Sequence, residues 1–369
     1  DGDRKSLSCW FVFVILATLL PGGADGWNLE GDDTAMPQRA DTPDRTGLSS
    51  EMSEFLDWAF ENGLDFESRF EVANITGVGR GLVARRDFSA GDMLLAVPKA
   101  LLITPQTAQA SEMGRMFKAE RIPDCRSGTF EECNNLLVLH LLQIYHDKSS
   151  FWAPWMRVLP RTLGSPVFWS EEEMREIEGS NLHDIAEGWR DKIAEVHRSL
   201  VPRLQRAYGE EALPADAFSL PEFKWAYMTV YARAFDIEMM AAGRRQRQRV
   251  LSPLVDMFNH GDVKSSYKFD DRKGQFELYT QQPYSAGQQV LLNYDAKNNA
   301  DFLLQYGFVI PGNPHDYVGV VAAVGPEADG YATKKELMEE LGLEIGQSHS
   351  LYFDGLPDQA LNGLRILCA

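Results

Sequence analysis

Leu251-Ser252-Pro253-Leu254-Val255-Asp256-Met257-Phe258-Asn259-His260 is the stretch on which the fold turns. A carboxylate, a carboxamide and an imidazole lie within five residues among apolar neighbours, and polar groups buried in that way need hydrogen-bond partners. One solution is local, an Asx-type cap beside a core histidine. The other is a site to which distant segments bring the missing partners. A metal centre suits the stretch poorly, because no other His or Cys clusters nearby, and none is expected.

Short strands are read on both sides of this stretch, with a long helical region before it. Downstream, residues 267–269, 275–280 and 289–293 have strand character, 299–306 reads as a helix, and Gly307-Phe308-Val309 follows. Upstream, residues 105–249 read as helical: 135–145 is dense in leucine, 171–177 is charged and 185–204 is amphipathic. Earlier still, Met52, Phe55, Leu56 and Ala59 are at helical spacing within 51–62, and Gly63 is a stop signal. Residues 70–104 form a small β unit, with strands at 70–72, 82–84, 92–98 and 100–104. A further strand from Val318 and a helix over 334–341 precede the last residues. Beta, long alpha, beta is the order of an α+β protein.

Three other segments carry candidate chemistry. In Gly77-Val78-Gly79-Arg80-Gly81 the backbone can approach a ligand closely, since glycine has no side chain and reaches positive φ cheaply; a plain turn explains the run equally well. It is not a dinucleotide fingerprint, because residues 82–87 read as strand and turn and not as a helix. Trp225, Met228 and Tyr231 fit the buried stripe of a helix, with Arg233 reaching outward. Tyr294 and Tyr306 flank a short helix, as core rings or as part of a site.

Composition narrows the classes. Hydrophobic residues make up 44% and charged residues 24%, which is ordinary globular usage. Asp and Glu number 54 against 36 Lys and Arg; the resulting charge of −18 repels a phosphate backbone, so no nucleic-acid partner is expected and a basic protein or peptide is. Cys9, Cys125, Cys133 and Cys368 show no C-x-x-C spacing, which removes structural zinc; Cys125 and Cys133 are expected as unpaired thiols, with pairing in an oxidising compartment as the alternative.

Arg4 and Lys5, an apolar run over 7–20 and Pro21-Gly22-Gly23-Ala24-Asp25-Gly26 match the parts of a signal peptide over residues 1–26. An uncleaved signal anchor is the alternative, although about 14 apolar residues fall short of the ~20 that a membrane helix needs. A membrane is a partner only in that case. Residues 27–50 are acid-rich and read as a disordered linker, which argues against a plastid transit peptide. Endomembrane entry is the expected route, with the plastid as alternative.

Taken in order, Gly79-Arg80-Gly81-Leu82-Val83-Ala84, residues 226–235, Asp256-Met257-Phe258-Asn259-His260, and Tyr294 with Tyr306-Gly307-Phe308-Val309 resemble the SET-domain methyltransferases. The resemblance covers about residues 55–320 and is strongest to the branch containing Rubisco large-subunit lysine methyltransferase. It implies an α+β SET fold of short strands with a large helical insertion. The SET domain would span 51–317, divided into an N-terminal part (51–104), the insertion (105–249) and a C-terminal part (250–317). Residues 318–369 would begin a C-terminal substrate-binding helical domain that is cut short.

The resemblance also implies roles. S-adenosylmethionine would be held by the backbone of Gly79 and Gly81 with Arg80 between them, by Arg233 at its carboxylate, and by Asn259 and His260, with Asp256 close by. Tyr306 and Phe308 would line the same pocket. Tyr294 would be catalytic, its hydroxyl beside the methyl group and the target nitrogen; Phe235 and Tyr306 would join it on the acceptor side. Histidine-methylating members carry asparagine at the position of Phe235, so the aromatic ring favours a lysine-bearing protein substrate, methylated by a monomeric enzyme. The rivals are a histidine methyltransferase and a noncatalytic SET-like binding module. Three positions depart from the family pattern: Val78 replaces a common glutamate, Ala232 a serine, and Asp295 a glycine. Asn74-Ile75-Thr76, a glycosylation sequon, lies five residues before Gly79. A glycan there would crowd the turn, so Asn74 is expected to stay unmodified, shielded or outside the lumen.

Overall fold

Ser49 opens the folded region. Its side chain accepts the Met52 N–H at 3.3 Å, capping α1 (Ser50–Glu61), which buries Met52, Phe55, Trp58 and Ala59 before the chain turns at Gly63, φ +84°. The computed structural model describes residues 48–124, 130–241, 243–321, 323–353 and 355–369. The signal-like segment, the linker up to residue 47, and Cys9 and Cys125 lie outside the described residues. Two compact units divide the described chain: a larger one of residues 48–168 and 186–295, and a smaller one of residues 169–185 and 296–369.

In the larger unit β1 (Phe70–Ile75) and β2 (Gly79–Ala84) form an antiparallel hairpin that pairs Asn74 with Arg80 and Ala73 with Gly81. β3 (Met93–Pro98) follows, and then residues 99–101 coil into a 3-10 turn instead of the expected strand. Of that stretch Ile103 alone pairs, in a single bridge to Leu251. The helical region begins with α2 (Pro105–Ala110), α3 (Glu112–Ala119), α4 (Phe130–His146) and α5 (Ala153–Val158). It continues through α6 (Glu171–Arg175, in the smaller unit), α7 (Asn181–Tyr208, starting there) and α8 (Leu220–Arg233). Leu136, Leu137, Leu139, Leu141 and Leu142 of α4 are all buried, so this helix is apolar around its circumference and serves as a core post. α8 packs on it and buries Phe223, Trp225, Tyr227 and Met228.

The helical reading of 105–249 gives way at Ala234. β4 (Ala234–Ala241) and β5 (Arg244–Leu251) form an antiparallel hairpin in which Asp236 pairs with Arg249. Arginine and glutamine alternate along β5, which looks like a charged helix face until the facing strand supplies the Asp236 carboxylate to Arg247 and Arg249, both at 2.9 Å. Beyond it β6 (Asn259–His260) runs parallel to the short β9 (Leu291–Leu292). β7 (Ser265–Asp270) and β8 (Gln275–Thr280) join β3 in a sheet ordered β3-β8-β7.

In the smaller unit α9 (Asn299–Tyr306) is capped by Asn298 and stopped by left-handed Gly307. β10 (Tyr317–Val321) and β11 (Ser348–Tyr352) form an antiparallel pair, and α10 (Tyr331–Glu340) and α11 (Asp358–Cys368) meet over Met338, Leu343 and Leu367. Cys133 is disulfide-bonded, so the expected free thiol there is corrected; Cys368 is free and exposed. Among the described residues no helix is long and apolar enough to cross a membrane.

Candidate active site

α8 ends at Arg233 and β4 starts at the next residue, which has ψ 151°. Twenty residues on, Leu254 takes φ +64°, a conformation disfavoured for a bulky side chain, and so enters a 3-10 turn that drives Asp256 inward. Arg233 Nη1 donates to the Asp256 carbonyl at 2.8 Å and to Asp256 Oδ2 at 3.3 Å. Burial pushes the Asp256 carboxyl upward from its ordinary pKa, against the pull of Arg233 and Arg80. Arg80 anchors its guanidinium on the Val158 carbonyl at 2.9 Å, and burial pulls its pKa down while Asp256 opposes that. The salt bridge leaves Arg233 Nε and Asp256 Oδ1 buried without a hydrogen-bond partner. Trp155 Nε1 is near enough to that carboxyl to lower its pKa, yet it too stays outside hydrogen-bond geometry. An unmet buried donor or acceptor costs about 1–3 kcal/mol, so such a concentration is a feature of a ligand site more than of a core.

The glycine-rich hairpin joins this cluster through Asn259, whose Nδ2 donates to the Arg80 carbonyl at 3.1 Å and to Gln289 Oε1 at 2.9 Å. A Cβ on Gly81 would stand 2.6 Å from each of those side-chain atoms, so Gly81 is required for space. Gly79 is required for its φ of +92°. The parallel pairing of β6 and β9 then carries Tyr294 to His260: the Tyr294 N–H donates to His260 Nδ1 at 3.1 Å, which assigns the neutral ring its proton at Nε2. The Tyr294 hydroxyl donates to the Phe258 carbonyl. Burial raises its pKa to about 12, with Arg233 lowering it and Asp256 raising it, so the phenol keeps its proton at neutral pH and cannot serve as a base there.

A SET domain profile matches residues 79–295, more than half of the chain. The chain belongs to the SET domain family. It is 30% identical over 321 residues to the actin-histidine N-methyltransferases of Canis lupus familiaris and Homo sapiens, matching 85% of this chain and 53% and 52% of those proteins. It spans about half the length of these curated relatives. Among solved structures, the SET domain of LSMT bound to lysine and AdoHcy superposes with a TM-score of 0.68 at 25% identity. Rubisco LSMT bound to AdoMet does so at 0.66 and 26%, each covering 87% of this chain and 71% of the other.

Within this SET domain Arg80, Gly81, Arg233, Asp256, Asn259, His260 and Tyr294 meet through the contacts above. Arg233 turns inward onto Asp256, where a surface-reaching side chain was one sequence expectation. Phe235 stands two residues further along β4, half-buried, its ring 5.7 Å from Tyr267 and 5.5 Å from Phe276. Tyr306 and Phe308 belong to the smaller unit, where both rings pack on Phe302 at 6.1 and 5.2 Å. Asp295 shows why glycine is common after the tyrosine: its φ is +97°, and its N–H is held by Asn293 Oδ1 at 2.7 Å. Val78 is exposed and Ala232 half-buried. Sequence reasoning missed Gln289 and Trp155. Gln289 sat inside an expected strand with no mark of its own, and its bridge to Val83 is visible only in three dimensions.

Proposed function

We propose that this chain is an S-adenosylmethionine-dependent protein N-methyltransferase with the side-chain amine of lysine as its acceptor. The observation that carries the reading is the Tyr294 hydroxyl, held on the Phe258 carbonyl while the Tyr294 backbone N–H is held by His260, next to unsatisfied polar groups of Arg233 and Asp256. Those groups suit the cofactor's amino-acid end: Arg233 Nε is a donor for a carboxylate, and Asp256 Oδ1 is an acceptor for an ammonium group. Gly79 leaves the hairpin turn without a side chain, Gly81 makes room for Asn259, and Asn259 ties the hairpin to β6. AdoMet and AdoHcy occupy the solved LSMT structures, which supports the same cofactor here.

When bound, S-adenosylmethionine supplies an electrophilic methyl carbon on a sulfonium. The protein must then align the acceptor nitrogen and receive it without its proton. Lysine has a reference pKa of about 10.4, and desolvation favours its neutral form. The Phe235 and Tyr267 rings, backed by fully buried Phe276, provide an apolar surface for the alkyl stem and support lysine over histidine. Histidine is the second reading, supported by the names of the curated relatives.

Labelled S-adenosylmethionine is incubated with the protein and a cell lysate, and the labelled proteins are hydrolysed to amino acids. Methyllysine is the expected labelled product. Methylhistidine in its place moves the acceptor to imidazole, and no protein-bound label with correctly folded enzyme removes the enzymatic reading.

A further inference from the structure

We propose that Asn74 is an N-glycosylation site of this chain and that an oligosaccharide there leaves the contact of Gly81 with Asn259 and Gln289 intact. Asn74-Ile75-Thr76 is the chain's one Asn-x-Ser/Thr sequon. Asn74 and Thr76 are both exposed, which overturns the expectation that folding shields this asparagine.

The geometry of the hairpin removes the objection that a glycan would crowd the glycines. Directly paired residues share a face of an antiparallel hairpin, and successive residues alternate between faces. Asn74 pairs with Arg80, whereas Ala73 pairs with Gly81 and Ile75 with Gly79. Asn74 therefore projects from the face opposite Gly81, whose missing side chain would meet Asn259, Gln289 and Ile75; it shares its face with Arg80, whose guanidinium is tied down on the Val158 carbonyl. Two observations away from the sequon agree with passage through a compartment where glycosylation occurs. Cys133 is disulfide-bonded, as oxidising compartments permit, and residues 7–20 have the apolar pattern of a secretory signal.

The chemistry requires an oligosaccharide carried on a lipid diphosphate. The Asn74 carboxamide nitrogen forms a bond to the anomeric carbon, the anomeric carbon–oxygen bond breaks, and the lipid diphosphate leaves with that electron pair. The amide gives up one proton to the transferase.

The test expresses the full chain in a eukaryotic secretory host and measures intact mass before and after peptide N-glycosidase. Wild type should lose the mass of one oligosaccharide, and Asn74→Gln should lose none. Thr76→Ala, which keeps the asparagine and breaks the sequon, should match Asn74→Gln; Thr76→Ser should retain the shift. A wild-type mass unchanged by the enzyme, or a shift that persists in Asn74→Gln, overturns the proposal. The affinity for S-adenosylhomocysteine should agree within about twofold between glycosylated and trimmed protein. Binding weakened tenfold or more by the glycan would overturn the separation of faces.

Discussion

Two buried carboxylates in the larger unit receive opposite treatment. Glu277 in β8 accepts from Lys273 at 2.8 Å, Gln275 at 2.8 Å and Tyr279 at 2.6 Å, and Lys268 stands 3.4 Å away. Burial alone would raise its pKa, but those hydrogen bonds and charges hold it at about 2. Asp256 is equally buried, has one oxygen on Arg233 and the other on nothing, and has its pKa pushed upward. The difference separates a carboxylate saturated for stability from one left incomplete for a ligand, since burial penalises charge and only a full set of partners offsets it.

The sharpest break of that comparison is at the tyrosine beside Asp256. Tyr294→Phe should lower turnover at least about 100-fold, near 3 kcal/mol in the barrier, while S-adenosylhomocysteine affinity stays within about twofold. Unchanged turnover, with calorimetry confirming binding, would remove Tyr294 from the reaction. Next in size is Gly81→Ala. Its new methyl meets Asn259 and Gln289 at 2.6 Å, so unfolding free energy should fall by about 1–3 kcal/mol and cofactor affinity with it. Denaturant titration giving wild-type stability would mean that the hairpin and β6 are not held together as described.

The carboxylates themselves come third. Glu277→Gln should cost about 1–2 kcal/mol at pH 7, after allowance for the exposed lysines, while Asp256→Asn should cost less stability and more cofactor affinity. Because the folded Glu277 pKa lies below its unfolded value of 4.5, its contribution is present above pH 4.5 and fades as pH falls toward 2. Equal losses from both substitutions would erase the distinction. The smallest effect is alkaline. Tyr294 ionises near 10 when unfolded and about 12 when folded, so its contribution is full below pH 10 and declines as pH rises toward 12. Across that window wild type should lose about 1–2 kcal/mol relative to Tyr294→Phe in denaturant titrations.

Much of this was legible in the chain. α1 announced itself through Ser49, the apolar spacing and Gly63, and α4 through its leucines, because these signals act over a few residues. The hairpin of β4 and β5 did not, since an Arg-Gln alternation means strand only when Asp236 faces it. The order of four segments singled out Asn259 and Tyr294 as candidates, whereas Gln289 and Trp155 join the cluster only through contacts between distant parts of the chain. The disulfide at Cys133 was misjudged because spacing says little about proximity.

The junction at Arg233 and Ala234 bears on how the proposed acceptor side could evolve. No loop separates α8 from β4, so the residue assigned to the cofactor and the ring assigned to the acceptor are two positions apart on one continuous backbone. Codon 235 can therefore drift while codon 233 stays anchored by Asp256. On such a scaffold the proposed acceptor pocket can change at residue 235 while the Arg233–Asp256 pair stays as it is.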